Sequence, residues 1–123
     1  MIVYLLSSRR NKDINSEITT LLESKGKHVH LPSRDTPQSG DIVMYEGNVG
    51  AIRKADEVLP VVNGPITGNW AFEYGYARAL DKVRVCAILS DNDLNENKNR
   101  MIELDISKVK VINSIRELEK VFR

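Results

Sequence analysis

Glu73 is the residue whose neighbours in the sequence point most clearly to chemistry. It follows a short apolar run, Val58–Val62, and a turn-forming stretch, Asn63–Asn69, and it lies near the start of a segment with helical spacing, Trp70–Leu80. The helix dipole favours a carboxylate in the first helical turn, so we expect Glu73 to be ionised. An ionised carboxylate among aromatic rings suits a sugar or a nucleobase, although an acid that only stabilises its helix beside core aromatics fits the same residues. The aromatic neighbours are Trp70, Phe72, Tyr74 and Tyr76.

The elements around Glu73 predict where a ligand would bind. A second apolar run, Val83–Leu89, follows the helical segment, so the order is strand, loop, helix and strand, as in a right-handed βαβ unit. Ligands of parallel sheets bind beyond the carboxyl ends of the strands. We therefore expect the Asn63–Asn69 loop and the start of the helix after it to border the site.

The whole chain shows the same alternation of strands and helices. It predicts an α/β fold: a flavodoxin-like or Rossmann-like three-layer sandwich of about five mostly parallel strands with helices on both faces. We interpret residues 1–123 as a single domain. The helices are predicted around Ile14–Leu22, Asp41–Ala55 and Trp70–Leu80 and after Ser114, and the strands at Ile2–Leu6, Lys27–Leu31, Val58–Val62, Val83–Leu89 and Val109–Ile112.

Local signals refine this outline. Asp41 is predicted to cap the second long helix, which also contains Gly47 and Gly50. Glycine is costly inside a helix, so we expect a ligand or a partner chain to pack closely there. Pro32–Gly40, which contains Arg34, Asp35 and Gln38, is predicted to be a loop. The polar segment Ser90–Arg100 predicts an exposed loop that could act as a lid, whereas Met101–Ile106 fits no single type of element.

Two further groups of polar residues have side chains that could form a binding site. The loop after the first strand, Ser7–Asn11, holds two hydroxyls and two guanidinium groups, which could bind a phosphate or could simply be solvated. His28 and His30 alternate along the second strand and share a face. A metal site needs about three protein ligands, and no third is supplied nearby, so the sequence favours a half-exposed strand and no metal.

Composition limits the classes of partner. The chain is 41% apolar and 28% charged with a net charge of +1, so its overall charge does not point to a nucleic-acid polymer or a membrane as partner, and no apolar run has the length of a membrane span. The single cysteine, Cys86, lies in a predicted strand, which is typical of a cytoplasmic protein. Neither a G-x-G-x-x-G motif nor a P-loop follows the first strand, and no cofactor is predicted.

Two motifs resemble the signature of the nucleoside 2-deoxyribosyltransferase family. They are A-D-E-V at residues 55–58 and A-F-E-Y-G-Y-A at residues 71–77, with a short loop between them. The stretch Tyr4–Arg10 is similar to the N-terminus of the 2'-deoxynucleoside 5'-monophosphate N-glycosidase branch, where a strand ending in Tyr precedes a Ser-x-Arg loop. The resemblance covers most of the chain.

The resemblance implies roles for individual residues. Glu73 looks like the nucleophile that attacks the anomeric carbon of deoxyribose, and Tyr4 resembles the tyrosine that helps to place this carboxylate. Ser8 and Arg10 resemble the groups that hold a 5'-phosphate. Thr67 lies where the phosphate branch has a hydroxyl. The glycines usual between this loop and the nucleophile are replaced by Asn69 and Ala71, and Trp70 between them could stack on a base or block the pocket, so the resemblance places Asn69 and Trp70 at the substrate.

One position departs from the family pattern. The family has an aspartate on the second helix where this chain has Asn48, and an amide cannot deliver a proton. The resemblance therefore implies two functions: cleavage of the N-glycosidic bond of a (deoxy)nucleoside 5'-monophosphate or nucleoside, by hydrolysis or base transfer with retention, or nucleotide binding and sensing without turnover. It also implies a homodimer or a higher homo-oligomer, and an interaction protein with helical interfaces is compatible with either function.

Overall fold

The computed structural model describes residues 1–90 and 99–123. The described part of the chain alternates strands and helices throughout. The strands are β1 (Ile2–Leu6), β2 (His28–His30), β3 (Glu57–Asn63), β4 (Val85–Ser90) and β5 (Lys110–Ile112). The helices are α1 (Lys12–Ser24), α2 (Pro32–Asp35), α3 (Asp41–Lys54), α4 (Gly68–Ala79), α5 (Arg100–Ile106) and α6 (Ile115–Val121).

The five strands form one parallel sheet in the order β2-β1-β3-β4-β5. This is the flavodoxin-like order, so the predicted architecture is confirmed. The strand order reverses direction between β1 and β3, because the chain adds β2 on one side of β1 and then crosses back to add β3 on the other. Their carboxyl ends therefore open a crevice at the usual place for a ligand in this class of fold.

Two apolar clusters fill the spaces on the two faces of the sheet. Successive strand residues point to opposite faces, so that Tyr4 belongs to the cluster beneath α3, α4 and α5, whereas Val3 belongs to the cluster beneath α1 and α6. Both side chains are fully buried. The sheet is therefore covered on both sides, and a tyrosine of its central part faces the side that carries Glu73.

Most predicted elements agree with the observed ones to within two or three residues. At the start of α3 the prediction was wrong, because Asp41 is the first helical residue and Gly40 takes the cap position. Ser114 caps α6 as predicted: its Oγ accepts a hydrogen bond from the backbone N–H of Glu117. The predicted lid, Ser90–Arg100, lies largely in residues 91–98, outside the described residues.

Two segments differ from what the sequence predicted. The stretch after β2, expected to be a loop, begins with the short helix α2, which has Pro32 in its first turn, where the missing N–H of proline costs nothing. Met101–Ile106, which fitted no single type, is part of α5. This helix is tied to α4 through Asp105, which accepts hydrogen bonds from Tyr74 Oη and Arg78 Nε, both at 2.6 Å.

Candidate active site

Glu73 lies in the second turn of α4, because the helix begins at Gly68 rather than at Trp70. Thr67 caps the helix: its hydroxyl oxygen accepts a hydrogen bond of 3.2 Å from the backbone N–H of Trp70. Glu73 therefore lies beyond the first helical turn, where the helix dipole favours a carboxylate most. Burial raises the pKa of Glu73 above its ordinary value, and hydrogen bonds from Tyr4 and Asn48 act in the opposite direction.

One oxygen of the Glu73 carboxylate is held by Tyr4. The Tyr4 hydroxyl donates a hydrogen bond of 2.5 Å to Glu73 Oε1. Tyr4 lies on β1 and is fully buried; burial and the nearby carboxylate raise the pKa of its hydroxyl far above the ordinary value. The hydroxyl therefore stays protonated and remains a donor to the carboxylate. This contact fits the predicted role of Tyr4 in placing the carboxylate, which remains a prediction.

The other oxygen of the carboxylate faces Asn48. The Asn48 side chain extends from α3 toward α4, and its amide Nδ2 lies 3.4 Å from Glu73 Oε2. This contact is longer than the usual range of about 2.7–3.2 Å for such hydrogen bonds. The structure therefore brings together the three residues predicted to be catalytic, Tyr4, Asn48 and Glu73, whose roles in a reaction remain predictions.

Behind Asn48 lies a contact that the sequence did not suggest. Asn48 Oδ1 accepts a hydrogen bond of 2.8 Å from the hydroxyl of Thr36, and the same hydroxyl oxygen lies 2.8 Å from His30 Nε2. The His30 ring in turn stacks on the Tyr4 ring, with a centroid distance of 5.4 Å. Thr36 lies in what was predicted to be a polar loop, and no spacing in the sequence indicates that its side chain is buried.

Two hollows meet at Glu73. One has a volume of about 380 Å³ and the other about 280 Å³, and Glu73, Asn48, Met44 and Asn69 border both of them. The carboxylate thus sits at the junction of two spaces that differ in their walls. A ligand that fills both would pass its middle part over Glu73.

Half of the residues that line the larger hollow are apolar or aromatic side chains of α3 and α4. Among them, the Tyr45 and Phe72 rings contact each other, with a centroid distance of 6.1 Å and an angle of 40° between the ring planes, and Asp41 borders the same hollow. Both rings are more than half exposed, at 57% for Tyr45 and 51% for Phe72. The exposed ring faces offer a surface against which a flat aromatic group could stack.

The smaller hollow is lined by the β1–α1 loop and the start of α4. The five residues predicted to bind a substrate all border it: Ser8, Arg10, Thr67, Asn69 and Trp70. Within the described residues, the guanidinium of Arg10 has no hydrogen bond or ion pair, and the buried hydroxyl oxygen of Ser7 has no hydrogen-bond partner. This end therefore offers a free positive charge and hydroxyl groups to an anion.

Trp70 is part of the core as well as of the smaller hollow. Its side chain is only 5% exposed, its indole N–H donates to Val61 O at 3.1 Å, and its ring stacks on Tyr74. The indole is therefore fixed by the protein, and it does not block the space in front of Glu73.

The glycines of α3 have different surroundings. A Cβ built on Gly47 would lie 2.7 Å from the Cγ2 methyl of Thr36, whereas one on Gly50 would meet nothing within 4 Å. The close approach expected at this helix is thus made at Gly47, by Thr36 of the same chain rather than by a ligand or a partner.

The structure also bears on metals and membranes. Within residues 1–90 and 99–123, no three His, Cys, Asp or Glu side chains are grouped in a way that could hold a metal ion. Over the same ranges, no helix combines the length and the apolar character that crossing a bilayer requires.

The sequence matches no protein-family model and no curated protein. Solved structures, however, share its fold over nearly the whole chain. A 2-deoxyribosyltransferase from Bacillus psychrosaccharolyticus superimposes with a TM-score of 0.77 and 16% identity, covering 97% of this chain and 90% of that one. For a CMP N-glycosidase from Clostridium botulinum these values are 0.64 and 19%, over 98% and 96%.

A third structure, a conserved protein from Enterococcus faecalis V583, has a TM-score of 0.68 and 15% identity, over 98% of this chain and 95% of that one. At these identities the likeness concerns the fold. Together with the motifs around Glu73, it assigns this chain to the fold of the nucleoside 2-deoxyribosyltransferase-like proteins.

Proposed function

We propose that the protein cleaves the N-glycosidic bond of a (deoxy)nucleoside 5'-monophosphate or nucleoside, with Glu73 as the nucleophile. The observation that carries this proposal is the position of Glu73 where a hollow bordered by Arg10 and by hydroxyl groups meets one bordered by Tyr45 and Phe72. A nucleotide has the same order of parts, with a phosphate at one end, a sugar in the middle and a flat base at the other end. The nucleoside chemistry named for two proteins of this fold adds support.

The reaction requires two displacements at the anomeric carbon. Glu73 attacks this carbon as the bond to the base breaks, and the electron pair of that bond leaves with the base. The carboxylate stabilises the positive charge that develops on the sugar and then forms a glycosyl ester. Water hydrolyses the ester, or a second base accepts the sugar, and in both cases the configuration is retained.

The anion end of the site supports a preference for a 5'-phosphate. Ser8, Arg10 and Thr67 border the smaller hollow, and the single proton of the Thr67 hydroxyl is free to donate because its oxygen accepts from Trp70. Arg10 supplies a positive charge without a partner in the described residues. Charge-assisted hydrogen bonds of this kind bind phosphate oxygens strongly.

The base end of the site must do without the acid at position 48. The Asn48 amide cannot protonate a leaving base, so it can only donate a hydrogen bond. The departing base must therefore take its proton from water or leave as a stabilised anion. This favours bases that already carry charge or protonate easily.

Base release is the experiment that tests the function. Native protein is incubated with the common nucleoside and deoxynucleoside 5'-monophosphates and the free nucleosides, and the released base is measured by chromatography. We expect release from at least one substrate, and its loss in Glu73→Gln. Glu46→Gln is the matched control, because Glu46 also lies on a helix near the site but borders neither hollow at Glu73. No release from any of these compounds would refute the proposed activity.

The second candidate is a nucleotide-binding or sensing protein of the same fold. Asn48 favours this function, because its amide can donate a hydrogen bond beside Glu73 but cannot give a proton to a leaving base. Thermal stabilisation by a nucleotide without base release, with turnover appearing in Asn48→Asp, would support this function over the first.

We also propose that the protein acts as a homodimer or a higher homo-oligomer. Exposed apolar side chains beside the aromatic hollow support this: Ile42 is 73% exposed, and Tyr45 and Phe72 are more than half exposed. A patch of this kind is typical of a protein interface. Light scattering should show a smaller species for Phe72→Ser than for the native protein; a native monomer would refute the assembly.

A further inference from the structure

A hydrogen-bonded network of polar side chains runs behind Glu73, and only its last member, Asn48, borders the two hollows. It consists of His30, Thr36 and Asn48, joined by two contacts of 2.8 Å each, and it ends at Glu73 Oε2. Thr36 is its centre and is only 3% exposed. A hydroxyl group has one proton, so Thr36 can donate a hydrogen bond to only one of its two polar partners.

The number of protons available fixes which group donates and which accepts at each hydrogen bond of the network. Asn48 Oδ1 can only accept, so Thr36 donates to it and has no proton left for His30. His30 must then donate from Nε2 to the Thr36 oxygen. The amide of Asn48 thereby turns its NH₂ group toward Glu73.

The opposite orientation of the amide is unfavourable beside an ionised carboxylate. It would place Asn48 Oδ1 where Nδ2 now lies, 3.4 Å from Glu73 Oε2, so that two acceptors would face each other. The Thr36 hydroxyl would then have to donate to His30 instead. Thr36 therefore decides which end of the Asn48 amide meets the carboxylate.

We propose that Thr36 is a positioning residue, which holds the NH₂ group of Asn48 toward Glu73, and that His30 fixes the hydroxyl of Thr36 in the donating direction. The consequence for catalysis rests on the proposed function, whereas the orientation itself does not. Through Asn48 the network contacts Oε2 of Glu73. Through its stacking on Tyr4, at a centroid distance of 5.4 Å, His30 also contacts the residue that holds the other oxygen.

Gly47 permits this arrangement. Thr36 Cγ2 lies only 2.7 Å from the ideal position of a Cβ at residue 47, which is too close for any residue other than glycine unless something shifts. A side chain there must push Thr36 away from α3, and with it the hydroxyl that bonds to Asn48. Gly47 thus has a function at the site although it does not border the hollows around Glu73.

The tautomer of His30 tests the orientation without any turnover. Long-range ¹H–¹⁵N spectra distinguish Nε2–H from Nδ1–H, and the chain has only two histidines, of which His28 is exposed and serves as the internal reference. At about pH 8, well above ordinary carboxyl pKa values, we expect Nε2–H for His30. In Asn48→Leu the Thr36 hydroxyl loses its acceptor, and the signal should move toward Nδ1–H. A native Nδ1–H tautomer, or no change in Asn48→Leu, would overturn the proposal.

Kinetics test the consequence. Thr36→Val should lower kcat by about tenfold, which corresponds to about 1.4 kcal/mol. The KM should stay nearly unchanged, because Thr36 is not among the residues that line either hollow. Thr36→Ser keeps the hydroxyl and should restore kcat. A native kcat in Thr36→Val, or a change confined to KM, would contradict the positioning role.

A pair of glycine variants provides the matched comparison. Gly47→Ala and Gly50→Ala make the same change in the same helix, but only the first meets Thr36. We expect Gly47→Ala to lower kcat and shift the His30 signals, and Gly50→Ala to do neither. Equal effects of the two would overturn the proposal. If the native protein releases no base at all, the proposed function fails, and the His30 tautomer still decides the orientation.

Discussion

Removing the Tyr4 hydroxyl should raise the pKa of Glu73. In Tyr4→Phe the ring and its stacking on His30 remain, but the 2.5 Å hydrogen bond to Glu73 Oε1 is lost. A hydrogen bond to a charged group contributes about 1.5–3 kcal/mol, and because Glu73 is only half-buried we take the lower part of this range. One pKa unit corresponds to about 1.4 kcal/mol, so the pKa should rise by about one to one and a half units.

The sign follows from the protonation states. The hydroxyl stabilises the ionised carboxylate and not the acid, so its loss favours the protonated form. The groups that face Glu73 are Tyr4 and Asn48, with Arg9, Arg10 and Asp41 in the adjoining hollows. Titration of the ¹³C-labelled carboxyl group by NMR measures the pKa directly. If Glu73 is the nucleophile, the acid side of the kcat/KM profile should move upward by the same amount.

Tyr74→Phe is the control for this measurement. Tyr74 is also buried in the same apolar cluster, but its hydroxyl donates to Asp105 at 2.6 Å rather than to Glu73. Its removal should leave the Glu73 titration unchanged. An unchanged or lower pKa of Glu73 in Tyr4→Phe, or the same rise in both variants, would refute the role given to Tyr4.

Three other predictions concern charge and stability. Arg10→Gln should raise KM for a nucleoside 5'-monophosphate about tenfold, about 1.4 kcal/mol, and leave the corresponding nucleoside unaffected; equal changes for both would contradict a phosphate contact. The pKa of Glu73 is higher in the folded than in the unfolded protein, so the folded protein loses stability as the pH rises from the unfolded to the folded pKa. Glu73→Gln should therefore be more stable than the native protein at pH 7, and this difference should shrink on acidification. Thermal melts at several pH values measure the difference. Lys82→Met should destabilise the fold by about 1–2 kcal/mol in urea unfolding, because Lys82 Nζ donates to the carbonyl oxygens of Ile52 and Ala55 at 3.1 and 2.8 Å; Lys12→Met, at an exposed position, should stay within about 0.5 kcal/mol.

The fold was predictable because its signals are local. Apolar runs separated by helical periods define β1, β3 and β4, and their alternation fixes a parallel sheet. The errors fall where the signal is short or ambiguous. Pro32 is the only sequence signal for the four-residue helix α2. The start of α4 at Gly68 could not be located, because the residues there are also typical of turns.

The members of the site were predictable, but their environment was not. Glu73 and the residues of the β1–α1 loop follow from motif and topology, because carboxyl ends of neighbouring strands meet at one edge. The direction in which the pKa of Glu73 shifts could not be predicted, since its burial and the opposing hydrogen bonds from Tyr4 and Asn48 depend on distant parts of the chain. Thr36 was missed for the same reason: its burial depends on a close approach to Gly47 that no sequence period encodes.

Covalent trapping tests the central claim most directly. A 2-deoxy-2-fluoro nucleotide slows the breakdown of a glycosyl ester, so that the intermediate can be seen by mass spectrometry of the intact protein. We expect the mass to increase by one fluorinated sugar phosphate, with the label on the peptide that contains Glu73 and no increase in Glu73→Gln. Base release without any mass increase, or a label that persists in Glu73→Gln, would contradict Glu73 as the nucleophile.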